Sequence, residues 1–145
     1  MKTKKGFVFC LALLFLGSAV AFSQSVIASQ GSYIINSYKI NGVEYKHDNS
    51  HISWAVYTDG RIEYVFNRND GGTPARHYLT NEKATGGNSA TYDASFIGRD
   101  GGRGFGTARV TNTGYGRGGI TYEYTINGRN DVMTYVLLPY DSNAR

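Results

Sequence analysis

The sequence predicts an all-β domain, and three observations carry that prediction. Beyond the first two dozen residues the chain has 12 Tyr, 9 Ile and 7 Val but only three Leu (Leu79, Leu137, Leu138). β-Branched and aromatic side chains suit a pleated, half-buried surface, whereas leucine would dominate helical stripes. No segment sustains a 3.6-residue apolar period. Asn-Gly, Asp-Gly and Gly-Gly signals cut the chain at fairly even spacing, and such pairs tolerate the positive φ that tight hairpins need. The expected architecture is a single antiparallel meander barrel of about eight strands, with a β-sandwich as the alternative.

Each element follows from its flanking turn. Strands are expected over 32–40 before Asn41-Gly42, over 51–58 before Asp59-Gly60, and over 61–68 before the run Asn69 to Pro74. Further strands are expected over 90–98 before Arg99-Asp100-Gly101-Gly102 and over 105–111 before the glycine-rich 112–119. The last two are 120–126, ending at Asn127-Gly128, and 132–138. Short pieces at 43–46 and 76–80 complete the set. The polar tail 141–145 has little to hold it.

The hairpin around Asp59-Gly60 fixes its own register. A two-residue loop would face Tyr57 with Ile62 and Trp54 with Val65, leaving large apolar residues on both faces. A three-residue loop, Thr58-Asp59-Gly60, pairs Val56 with Ile62, Trp54 with Tyr64 and Ile52 with Phe66 on one face. It leaves Tyr57 with Arg61, Ala55 with Glu63 and Ser53 with Val65 on the other. Separation of apolar from polar favours the second register. In the last hairpin Ile120, Tyr122, Tyr124 and Ile126 mark a buried face, but 132–138 is apolar on both parities and its register stays open.

The N-terminus gives an address. Lys2, Lys4 and Lys5 precede an apolar run from Phe7 to Leu16 and the small residues of Gly17-Ser18-Ala19-Val20-Ala21. This is the layout of a secretory signal peptide, and the run is short for a membrane span. Residues 1–23 are read as that signal and 24–145 as the all-β domain, with cleavage after Ala21 or near Ser23-Gln24. The expected location is secreted or periplasmic, with no stable membrane insertion after processing. The signal also holds the sole cysteine, Cys10, at mid-run rather than at a lipoprotein cleavage point. Without its three lysines the balance of 15 Lys+Arg against 11 Asp+Glu falls to +1, which argues against a nucleic-acid partner.

The aromatic residues are the candidates for function. Trp54, Tyr64, Phe66, Tyr92, Phe96, Tyr122, Tyr124 and Tyr135 fall mainly on inward faces, where rings either form core or line a ligand cavity. Buried tyrosines keep a hydroxyl that needs a partner. Gly31-x-Tyr33, Ser37-Tyr38-x-x-Asn41-Gly42-Val43-x-Tyr45 and Thr58-Asp59-Gly60 resemble the opening of short bacterial lipocalin-like (calycin) β-barrel domains, with Tyr33 where that family has tryptophan. The resemblance covers about thirty residues. It implies an eight-stranded barrel that binds a small apolar molecule.

Other chemistries find less support. His47, His51 and His77 are candidate metal ligands if their loops meet near Asp48 and Asp70, but their spacing matches no metal motif, and solvated loop histidines are the simpler reading. The arginine-glycine stretch 99–119 resembles an RNA-binding segment out of context. The apolar strand within it would send its two glycine loops to opposite ends of a meander. No serine sits in a Gly-x-Ser-x-Gly elbow, and nothing selects a carboxylate pair. The expectation is a non-catalytic binding protein for a small apolar or aromatic ligand, without cofactor. The alternative is an envelope or extracellular structural or adhesion protein that self-associates through Gly/Tyr-rich strands.

Overall fold

The computed structural model describes residues 26–46, 50–114 and 118–140. The expected signal peptide and its cleavage point lie outside them, as do His47 and Asp48. Among the described residues there are nine strands and no helix: β1 (Ile27–Ile40), β2 (Val43–Lys46), β3 (His51–Tyr57), β4 (Ile62–Phe66), β5 (Ala75–Ala84), β6 (Ser89–Ile97), β7 (Arg103–Asn112), β8 (Ile120–Ile126) and β9 (Val132–Pro139). Strands β3 to β9 pair in chain order, all antiparallel, and β9 returns to β1 through Tyr33↔Pro139 to Ile40↔Met133. β3 takes Ile27–Ile34 of β1 on the opposite edge, and β2 takes Ser37–Ile40 on that same edge. The result is a closed antiparallel eight-stranded barrel plus one extra strand.

The β3–β4 hairpin adopts the three-residue-loop register. Ile52 pairs with Phe66, Trp54 with Tyr64 and Val56 with Ile62, and Gly60 takes φ +85°. The register left open in the last hairpin sets Tyr122 opposite Tyr135 and Ile120 opposite Leu137. Met133, Tyr135 and Leu137 thereby join the inner face.

Three strands run longer than their residue types announce. β1 begins at Ile27 because its polar start pairs with β3, Ser29 with Val56 and Gly31 with Trp54. β7 begins at Arg103 and carries Gly104 and Gly106 through its inner face. A Cβ at Gly104 would lie 3.2 Å from Ile126 Cγ2, so glycine lets β8 approach there. β5 continues to Ala84 past a bulge between Thr80 and Lys83.

At mid-barrel Tyr122, Ile52, Leu79 and Leu137 are fully buried. Connections β3–β4, β5–β6 and β7–β8 gather at one end, called the mouth, and β1–β2, β4–β5, β6–β7 and β8–β9 at the other, called the base. The glycines of 98–102 are therefore at the base, and Gly114, Gly118 and Gly119 at the mouth.

Candidate functional site

All eight ring residues singled out from the sequence belong to the interior, but they divide into two groups. Tyr64 and Tyr122 lie 4.9 Å apart between centroids, Phe66 and Tyr135 5.2 Å, and Phe96 and Tyr124 5.1 Å. Such spacings are direct ring contacts. Tyr64, Phe66, Phe96, Tyr122, Tyr124 and Tyr135 thus fill the middle of the barrel rather than border a void. Trp54 stands aside, stacked on Tyr33 at 6.0 Å and lying over Gly31, where a Cβ would come within 2.7 Å of the indole. Tyr92 is the one of the eight that borders the pocket at the mouth of the barrel.

The sequence reading missed His77 as an interior residue. It was expected in a loop beside His51; it is buried instead, with Phe66, Phe96, Tyr122 and Tyr124 around its ring. The signal was present, since Ala75, His77 and Leu79 alternate with Arg76 and Tyr78. His77 Nδ1 and the Tyr122 hydroxyl are hydrogen-bonded at 2.9 Å. Burial lowers the His77 pKa to about 3, so the imidazole is neutral, and burial raises that of Tyr122. Two neutral polar groups satisfy each other inside an apolar shell. His51 is exposed and its ring meets Tyr140 instead. Among the described residues no group of three metal-ligating side chains converges.

The open volume lies at the mouth. A pocket of about 760 Å³ is bordered by Ala90, Tyr92, Val110 and Ile120 from the inner wall, with Glu82, Asn88 and Asn112 at its rim. The wall follows from strand alternation, because Ala90 pairs with Val110 and Val110 with Tyr122, which sets all three on one face. The Tyr92 pKa is pushed up to about 12, by burial first and then by the Glu82 carboxylate, which accepts its hydrogen bond. Burial also raises Tyr64, and the nearby Tyr33 and Tyr92 hydroxyls add to that rise. The apolar wall therefore meets one phenol, Tyr92, and one carboxylate, Glu82. Little in the sequence marks Glu82, Asn88 and Asn112 as rim residues, because the β5–β6 hairpin brings the first two to the end of β7, where Asn112 lies.

At the base, Tyr124 and Tyr135 stack at 6.2 Å and 10°. Tyr135 continues to Tyr38 at 6.0 Å, and Tyr38 to Tyr45 at 5.3 Å. This file of rings runs from the core onto β2, where Tyr45 is 44% exposed.

Comparison with protein-family models, curated proteins and solved structures returns no match.

Proposed function

We propose that this chain is a non-catalytic binding protein for a small apolar or aromatic molecule, held at the mouth of the barrel. The observation that carries this reading is the mouth pocket of about 760 Å³. It combines an apolar wall with converging Tyr92 and Glu82, the usual composition of a small-molecule site. Tyr92, Val110 and Ile120 close its inner side, so the ligand would sit at the mouth rather than thread between the packed rings. Val110, Ile120 and Ala90 would take the apolar part, and Tyr92 with Glu82 would orient a hydroxyl or amine. An export signal fits a carrier that works outside the cytoplasm, in the periplasm or beyond the cell.

The test is a titration with the neutral apolar dye N-phenyl-1-naphthylamine. One saturable site at micromolar affinity, about −8 kcal/mol, is expected, with a change in Trp54 emission. Asn88→Trp should obstruct that site without touching the core, because Asn88 is exposed. A dye that never saturates, or binds Asn88→Trp unchanged, would reject the reading.

One observation favours the structural alternative, an envelope or adhesion protein. β2 has no neighbour beyond β1 among the described residues and exposes Val43 (57%) and Tyr45. Closed barrels normally remove such edges. Concentration-dependent assembly that Tyr45→Pro abolishes would support that alternative over a carrier.

A further inference from the structure

The outer face of β4 to β7 carries a second concavity, unrelated to the mouth. Cross-strand pairing sets Glu63, Tyr78, Ser95 and Phe105 side by side in one outward row. The small Ser95 between two rings makes a notch, and the groove there measures about 430 Å³. Tyr78 and Phe105 stand two strand spacings apart, about 9.5 Å. That gap admits one planar ring between them at ordinary aromatic separations. Phe105 is 64% exposed, more than any other large apolar side chain described.

The charges around the groove do not balance. Glu63 accepts from Arg76 at 2.6 Å and from the Tyr57 hydroxyl at 2.8 Å. Asp93 accepts from Asn81 at 2.8 Å and faces Lys83 at 3.9 Å. Both acids on this face are therefore engaged. Arg61 and Arg103, which border the groove, have no carboxylate partner among the described residues. Arg61 lies over the Tyr57 ring at 4.3 Å, and its Nε is buried without an acceptor. Two unmatched guanidinium groups beside an aromatic notch are a recognition set for a planar anion, since a guanidinium fork matches a carboxylate.

We propose that this groove binds an aromatic carboxylate, its ring between Tyr78 and Phe105 over Ser95 and its carboxylate on Arg103, with Arg61 adding to the positive field. The site is independent of the mouth, and either can fail without the other.

The experiment titrates the full domain with 2-naphthoate and follows the Ser95 and Phe105 amides by NMR. Saturable shifts with a dissociation constant below about 1 mM are expected at those amides. Phe105→Ala and Arg103→Ala should each weaken binding about tenfold or more, and both side chains are exposed enough to leave the fold intact. The neutral 2-naphthylmethanol should bind about tenfold more weakly than 2-naphthoate. Phe105→Ala should keep its N-phenyl-1-naphthylamine site at the mouth. Shifts that do not saturate, lie only at the mouth, or survive both substitutions would overturn the proposal.

Discussion

Replacing His77 with glutamine should make the stability of the domain less sensitive to acid, whatever it does to stability itself. The His77 pKa falls from 6.5 to about 3 in the folded protein because burial disfavours the imidazolium. The unfolded chain takes up a proton on this residue near pH 6.5 and the folded chain does not. Between those values the unfolded state binds more protons, so stability is fully present above pH 6.5 and is lost as pH falls towards 3. Each pH unit below 6.5 removes about 1.4 kcal/mol, or about 2 kcal/mol between pH 7.5 and pH 5.0. That window lies above the range in which most carboxylates titrate. The rings nearest His77 are Phe66, Phe96, Tyr122 and Tyr124, which carry no charge there. Glutamine leaves an amide to meet the Tyr122 hydroxyl and cannot titrate. Urea unfolding at both pH values measures the difference for each protein. Wild type should lose about 2 kcal/mol more than His77→Gln over this interval. Equal losses would show that His77 is not held neutral inside the barrel.

Three further outcomes follow from the same structure. Gly31→Ala should cost about 1–3 kcal/mol in urea unfolding, as overpacking does, because the new Cβ would meet the Trp54 indole at 2.7–2.9 Å; unchanged stability would contradict the close approach. N-terminal sequencing of the exported protein should find a start between Phe22 and Ser25, and retention of Met1 in that fraction would refute processing. The processed protein should not retain DNA or RNA at physiological salt, since its formal balance is +1; tight binding that weakens steeply with salt would contradict this.

Sequence patterning made the barrel legible wherever one face of a strand is polar. The β3–β4 register could be derived because only one loop length gathers Ile52, Trp54 and Val56 against Ile62, Tyr64 and Phe66. β9 was not legible, because Val132, Val136 and Leu138 are as apolar as the inward Met133, Tyr135 and Leu137, so period two carries no preference. Its register shows only in the tertiary pairing of Tyr122 with Tyr135. The start of β1 was hidden because Ala28-Ser29-Gln30-Gly31 has little strand propensity of its own and is held by β3. The candidate site was half legible. The inward rings were found, but alternation cannot say whether rings line a space or fill it, since that depends on opposing strands. Glu82, Asn88 and Asn112 meet at the mouth through loop closure, which leaves no local pattern.

A ligand held at the mouth is tested most directly by mapping where an apolar molecule settles on the barrel. Isotope-labelled protein titrated with N-phenyl-1-naphthylamine should show saturable shifts at the amides of Ala90, Tyr92, Val110 and Ile120, while Leu79 and Phe66 at mid-barrel move little. Saturable shifts confined to β2 and the base, or none at the mouth at any dye concentration, would contradict it.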